Sequence, residues 1–243
     1  MRGIGGWMAL AVGAALLGGC TEGGGTKDGV GDDAAVAPST GDPALDAIDA
    51  FIAANVDKEA PGWRFTLKKP PALPFADGKR YVLDIETNRG PVKIKLRPDR
   101  APMHASSAVY LARLGFYDGN TSHRAMKNFM CQAGSADGRG GRGPGYELDL
   151  EADASHVYDR PGLLAAARTP DPNSAGSQFF LMYGPWPGLN GQYTIYGELA
   201  EDAKTESTLT LRAMEEVSNP GDGPPREPIV FEKITVSVEE ESP

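Results

Sequence analysis

His123 and Arg124 stand side by side in the block Ser122-His123-Arg124-Ala125-Met126-Lys127-Asn128-Phe129-Met130-Cys131-Gln132-Ala133-Gly134. Arginine stays charged and offers several donors in one rigid plane, but taken alone the pair is a weak signal, since a lone arginine is usually a surface charge and a lone histidine more often a structural hydrogen-bonder. A second block, Gly176-Ser177-Gln178-Phe179-Phe180-Leu181-Met182, also sets a glutamine beside apolar side chains. Together the two blocks predict one groove with an arginine, two glutamines and apolar walls. Other chemistries find less support. Ser177 has no histidine in a recognisable elbow, and no carboxylate pair announces acid–base work. Cys20, Cys131, His104, His123 and His156 fall in no metal-ligand spacing, so no metal and no cofactor are expected. The glycine-rich stretch 134–145 carries Arg139 and Arg142 but no Gly-Lys-Ser/Thr, which argues for a surface loop and against a phosphate cradle. Glu147, Asp149, Glu151 and Asp153 lack the spacing and turn glycine of a calcium loop, and predict a solvated edge.

The chain must be large enough to hold such a groove in place. Its 243 residues are one ordinary domain plus appendages. A net charge of −9 argues against a nucleic-acid partner, whose phosphates call for a basic face. Thirty-one glycines and twenty prolines predict many turns and few long helices.

The elements around the two blocks can be read from periodicity. Residues 81–87 and 92–96 alternate apolar and polar about Asn88-Arg89-Gly90-Pro91, a β-hairpin with one buried face. Residues 101–116 read as a helix with Pro102 in its first turn and Gly115 at its end. Short strands are expected at 162–167, 177–182, 193–199 and 229–238. A second helix is expected at 205–217, with Leu209, Leu211, Ala213, Met214 and Val217 as its apolar positions. Many short strands with two helices predict a closed antiparallel barrel capped by helices, with any ligand site on the outer wall.

The N-terminal third has a different texture. Residues 1–19 read as a lipoprotein signal peptide: they carry one charge, Arg2, and an apolar run far shorter than the roughly 20 residues of a membrane span. The run ends in Leu17-Gly18-Gly19-Cys20, which is similar to the lipobox of bacterial lipoproteins, in which the cysteine is acylated. That similarity implies a lipid anchor at Cys20, a membrane partner and a place in the cell envelope, facing the periplasm or exterior. Residues 20–43 are low-complexity and predict a disordered tether. Residues 44–56 predict a short amphipathic helix, and the Pro-rich remainder of the 44–79 extension is expected to pack Trp63 and Phe65 on the main domain. Residues 239–243 read as an acidic tail.

Seven blocks in order carry a resemblance. They are Gly115-Phe116-Tyr117-Asp118-Gly119, His123-Arg124, Phe129-Met130-Cys131-Gln132, Gly143-Pro144-Gly145-Tyr146, Asp159-Arg160-Pro161-Gly162, Ala167-Arg168-Thr169 and Ser177-Gln178-Phe179-Phe180. Over residues 80–238 the chain resembles the cyclophilin-type peptidyl-prolyl cis-trans isomerases of the bacterial branch. The resemblance implies a closed eight-stranded antiparallel β-barrel capped by two α-helices. It implies that Arg124 takes the place of the catalytic arginine and Gln132 that of the glutamine supporting it. Phe129, Met130, Phe180 and Leu189 match the walls of a proline pocket. Ala167 and Gln178 match residues along the substrate backbone, and Tyr193 lies where many animal members have histidine. Proline-containing polypeptides are the implied partners, a monomer is expected, and His123 is expected to be structural.

The sequence also departs from the family. Ser122 replaces a phenylalanine, Lys127-Asn128 a Pro-Gly pair, and the alanines at 165–167 a methionine. Gly188 falls where many members have the tryptophan that helps bind cyclosporin, with Trp186 two residues earlier. These departures bear on cyclosporin sensitivity more than on catalysis, and Ser122, Lys127 and Asn128 motivate an alternative, a proline-peptide binding module or holdase of low turnover.

Overall fold

The computed structural model describes residues 39–241. The expected signal segment, Cys20 and most of the expected tether lie outside the described residues. The tether does not extend to residue 43. Asp42 caps helix α1 (Pro43–Asn55), its Oδ1 accepting from the backbone N–H groups of Ala44 and Leu45, both at 3.0 Å. Its other oxygen accepts from the Tyr81 hydroxyl at 2.9 Å. A capping carboxylate at a helix N-terminus satisfies donors that the helix itself leaves open.

After the extension the chain forms β1 (Lys79–Thr87), β2 (Gly90–Leu96), α2 (Pro102–Arg113), β3 (Asn120–Thr121), β4 (Arg124–Met126) and β5 (Met130–Ala133). It continues as β6 (Leu164–Ala166), β7 (Phe179–Met182), β8 (Ile195–Leu199), α3 (Lys204–Glu216) and β9 (Val230–Glu240). The strands form one nine-stranded sheet in the order β3-β9-β1-β2-β8-β6-β7-β5-β4. All its strand pairs are antiparallel. The edge strands β3 and β4 are consecutive in the chain, separated by Ser122 and His123 alone. Segment 120–126 therefore pairs with β9 at its start and with β5 at its end, which curls the sheet upon itself. The mainly β fold is as expected. The closed eight-stranded ring is not reproduced in full, because the ladder is interrupted at Ser122-His123 and one barrel strand becomes two short ones.

The expected hairpin forms, with its turn at Thr87-Asn88-Arg89-Gly90, one residue earlier than expected, and Pro91 paired with Glu86 inside the ladder. Gly90 has φ +124°, and a Cβ there would meet the Thr210 hydroxyl of α3 at 2.5 Å. On α3 the buried face is Ser207, Thr210, Leu211 and Met214, while Leu209, expected to be apolar and inward, is 60% exposed. Polar residues fill that face because β2 offers backbone groups to it: the Lys93 N–H donates to Ser207 Oγ at 3.0 Å. The acidic tail also needs correction. Glu239 and Glu240 belong to β9, where they stand opposite Arg80 and Lys79 and form ion pairs with them.

The extension at 44–79 packs on the barrel, and its aromatics dock as expected. Trp63 meets Phe116 edge-on at 6.3 Å, Phe75 meets Tyr81 at 4.8 Å, and the Arg142 guanidinium sits 3.9 Å from the centre of the Phe65 ring. Leu45, Ile48, Leu67 and Leu73 share one apolar core with Tyr81, Leu83, Ile94, Val109 and Phe231.

Glu151 is not part of a solvated edge. Helix α2 has no side-chain cap of its own, and Glu151 reaches in from a distant loop to supply one. Its carboxylate accepts from the N–H groups of Met103 and His104, both at 2.9 Å, and lies 2.6 Å from His104 Nδ1. Burial raises the Glu151 carboxyl, but the His104 ring and the two backbone donors outweigh it and hold the group below its ordinary value. A depressed carboxyl stabilises the fold above its ordinary range and stops doing so as pH falls through the lowered value. Glu151→Ala is expected to cost about 1–2 kcal/mol in urea unfolding at neutral pH. The gap between variant and wild type should close as the pH is lowered past the carboxylate range.

Candidate functional site

Strand alternation divides the wall formed by β4, β5 and β7 into two faces. Ala125, Cys131, Ala133, Phe179 and Leu181 point into the barrel core. Arg124, Met130, Gln132 and Phe180, which alternate with them, belong to the other face. Registry then lines them up: Arg124 is opposite Gln132 across β4–β5, and Gln132 is opposite Phe180 across β5–β7. Phe180 is in turn opposite Ala165 on β6. Neighbouring strands are about 4.8 Å apart, so this row places the arginine within two strands of the phenylalanine ring.

The polar half of the row is a chain of hydrogen bonds. Arg124 Nη1 donates to Gln132 Oε1 at 3.3 Å, Gln132 Nε2 to Gln178 Oε1 at 3.0 Å, and Gln178 Nε2 to the Gly140 carbonyl at 3.1 Å. On its other side Arg124 donates from Nε and Nη2 to the two carboxylate oxygens of Asp222, at 2.6 and 3.1 Å. That arginine holds the Asp222 carboxyl below its ordinary value.

The apolar half is a cavity of about 100 Å³, lined by Arg124, Phe129, Met130, Gln132, Ala167, Arg168, Phe180, Leu189 and Tyr193. Phe180 is packed from two sides, parallel to Tyr158 at 6.1 Å and edge-on to Tyr193 at 5.8 Å. Met130, Phe180, Met182 and Ile195 form a second apolar cluster against which Phe129, Ala167, Leu189 and Tyr193 pack. The outer wall thus carries a small apolar core of its own beside the cavity. Eight of the nine groove residues expected from sequence line this cavity. Gln178 does not; it lines an adjoining hollow of about 410 Å³ that shares Gln132, Ala167 and Arg168 with the pocket.

His123 is biased toward its neutral form. Burial, partly offset by the nearby Asp137, lowers its pKa, and Arg124 pushes it the same way. Its ring lies against Gly140, where an added Cβ would come within 2.5 Å of Cδ2. Cys131 faces the barrel interior, and burial pushes its thiol up to about 11.

The departures at Ser122, Lys127 and Asn128 have structural accounts. Ser122 is buried at the break in the ladder, with its hydroxyl 3.2 Å from the Arg124 carbonyl and 3.0 Å from that of Gln132. A small hydroxyl thereby ties β4 to β5 beside the arginine. Lys127 and Asn128 form the tight turn between those strands, closed by the Phe129 N–H donating to the Met126 carbonyl at 3.1 Å. Asn128 has φ 63° and is the non-glycine residue with positive φ among the described residues. Asparagine enters that region more readily than most residues, so it can stand where a glycine would.

Two contributors, Arg168 and Asp222, were given no role from sequence, and a third, Trp186, was noted only for its place beside Gly188. Arg168 covers the Tyr193 ring at 4.4 Å and donates to the Gln192 carbonyl at 2.8 Å. Trp186, 42% exposed, lies 4.5 Å from Phe129 and extends the pocket's apolar rim. Asp222 sits 98 positions after its arginine in a Gly-Asp-Gly turn. The turn was visible in sequence, but nothing there linked it to Arg124.

The wall thus sets an arginine among apolar side chains around a small pocket on the outer face of an antiparallel sheet. The chain belongs to the cyclophilin type peptidyl-prolyl cis-trans isomerase/CLD family, whose description matches residues 82–236. Peptidyl-prolyl cis-trans isomerase A of Mycobacterium tuberculosis is 36% identical over 168 residues, covering 63% of this chain and 90% of that protein. Peptidyl-prolyl cis-trans isomerase B of Streptomyces anulatus is 34% identical over 169 residues, with 63% and 94% covered. Among solved structures, a cyclophilin type peptidyl-prolyl cis-trans isomerase of Cryptosporidium parvum superposes with a TM-score of 0.59 at 30% identity. It covers 65% of this chain and 98% of that one. The same Cryptosporidium protein, solved in the presence of the dipeptide Ala-Pro, gives a TM-score of 0.58 at 31% identity.

The turn that aims Arg124 and Phe129 yields a stability test. A residue with a Cβ and no local hydrogen-bonding group pays about 1–2 kcal/mol in the left-handed region. Asn128→Ala should therefore lose about 1 kcal/mol by thermal or urea unfolding, while Asn128→Gly stays close to wild type.

Proposed function

We propose that this chain accelerates rotation about Xaa-Pro peptide bonds, with the proline ring in the pocket walled by Phe129, Met130, Phe180 and Leu189 and with Arg124 beside the twisting amide. The observation that carries the reading is a small cavity lined by apolar side chains and by the hydrogen-bonded Arg124. The barrier to be lowered is about 18–20 kcal/mol and arises from C–N double-bond character. As the amide twists, that character is lost and the proline nitrogen regains a lone pair. No covalent bond is made or broken, so no nucleophile and no acid is called for.

The energetic division follows from magnitudes. An acceleration of about 10⁴ corresponds to roughly 5–6 kcal/mol. One charge-assisted hydrogen bond contributes about 1.5–3 kcal/mol, so Arg124 supplies part and the rest has another source. Burying the three ring methylenes is worth roughly 2 kcal/mol, but ground state and twisted state share that burial, so it anchors the substrate without speeding it. The further share is assigned to a water-poor wall that strengthens the arginine's field, and to Gln132 and Gln178 holding the flanking backbone still while the bond turns.

We also propose that the protein works at the cell envelope, anchored by an acyl group on Cys20. Leu17-Gly18-Gly19-Cys20 after a short apolar run supports this. Among the described residues no helix is long and apolar enough to cross a membrane. Residues 20–38 then serve as the tether that holds the domain off the surface.

Arg124→Ala should reduce turnover of a proline tetrapeptide by about a hundredfold or more with an unchanged melting temperature; wild-type turnover in a folded variant would overturn the assignment. Two-dimensional exchange NMR on a proline peptide should show fast cis–trans cross-peaks with wild type, whereas shifted signals without exchange would identify a low-turnover binding module. Cys20→Ser should move the protein from the membrane to the soluble fraction of fractionated cells and abolish labelling by a fatty-acid analogue.

A further inference from the structure

Arg124 has five N–H bonds, one on Nε and two on each terminal nitrogen. Asp222 takes the Nε proton and one Nη2 proton through its two oxygens, and Gln132 takes one Nη1 proton. One N–H on each terminal nitrogen is left. A bidentate fork of this kind fixes the plane of a guanidinium as well as its position. The single 3.3 Å bond to Gln132 would leave that plane free to swing.

The carboxylate is itself held by the strand it serves. Asp222 lies in the loop between α3 and β9. That loop is laced to β4 by the Ala125 N–H donating to the Gly223 carbonyl at 2.9 Å and the Asn219 N–H donating to the Ala125 carbonyl at 2.9 Å. A third bond runs from the Lys127 N–H to the Asn219 carbonyl at 2.8 Å. Within the loop, Asn219 Oδ1 accepts from the Gly221 N–H at 2.9 Å, and its Nδ2 donates to the Pro224 carbonyl at 3.2 Å. Backbone on either side of Asp222 is therefore tied to the strand that carries Arg124, and the two side chains move with one frame. The pair is open to water, with side-chain exposures of 34% for the arginine and 65% for the aspartate. Exposed ion pairs contribute little to folding, so global stability gives no reason for this one.

We propose that Asp222 is a positioning residue for Arg124: its carboxylate fixes the guanidinium so that the two remaining N–H groups present to the twisting peptide bond. The aspartate touches no substrate. It converts the arginine from a mobile cation into an oriented pair of donors, which matters in the twisted state and little in the ground state. This rests on the reading of Arg124 as the catalytic arginine.

The test compares kcat and KM for a proline tetrapeptide across Asp222→Ala, Asp222→Asn and Asp222→Glu in the full-length protein. Asp222→Ala should lower kcat by about tenfold to a hundredfold with KM within about twofold and the melting temperature unchanged. Asp222→Asn, which keeps one acceptor, should fall between, and Asp222→Glu should recover most of the lost kcat. In an Arg124→Ala background, Asp222→Ala should have no further effect, because the two residues act as a unit. An Asp222→Ala variant with wild-type or raised kcat, or with a loss confined to KM, would overturn the proposal. An additive loss in the double variant would do the same. If Arg124→Ala alone retains full turnover, the catalytic reading fails first, and that outcome is separable from a defect in Asp222.

Discussion

A strand turns successive side chains to opposite faces, and the site depends on that more than on any single contact. The wall made of β4, β5 and β7 is one residue thick. Ala125, Cys131, Ala133, Phe179 and Leu181 fill the barrel, while Arg124, Met130, Gln132 and Phe180 build the groove on the other side. A slip of one residue would drive the arginine toward the interior and turn the small core residues outward. Burying an unpaired charge is costly enough to forbid that register. The requirement for a packed core therefore also fixes the aim of the groove.

The charge on Arg124 then sets the direction of everything polar beside it. A guanidinium can only donate, so Gln132 must turn its oxygen toward the arginine. Its amide nitrogen is thereby committed to Gln178, and that of Gln178 to the Gly140 carbonyl. One permanent charge orders two amides that could each have been flipped. The glycine-rich loop joins the row through Gly140, which also accommodates the His123 ring. At Gly140 the missing side chain serves this close approach.

Much of this was legible in sequence, and the boundary between what was and was not has physical causes. The hairpin at β1 and β2 has long alternating runs, and α2 has a proline at its start and a glycine past its end, so both announce themselves. The pocket residues could be named because ordered motifs carry them. Their division into two faces could not be read from Phe179-Phe180-Leu181-Met182, which is apolar on both sides and hides its period. Strand β6 is three residues long, too short for a pattern. The Asp222 fork, the Glu151 cap on α2 and the pairing of Glu239 and Glu240 with β1 are all made between residues far apart in the chain, and no local spacing encodes them. Leu209 misled in the opposite sense: it fits an apolar helical period yet faces water, because α3 turns Ser207 toward the backbone of β2 and Thr210 against Gly90.

The extension before β1 draws a boundary that family membership does not. Residues 82–236 carry the shared pattern, yet Leu45, Ile48, Leu67 and Leu73 lie in the same apolar core as the barrel, and Asp42 holds both the start of α1 and the Tyr81 hydroxyl. The Leu67 N–H also donates to the Pro144 carbonyl at 2.9 Å, stitching the extension to the far side of the glycine-rich loop. Chemistry and cooperativity thus have different borders in this protein. Truncations that begin beyond Asp42 should therefore weaken the domain that carries the groove, although they remove nothing that the family pattern covers.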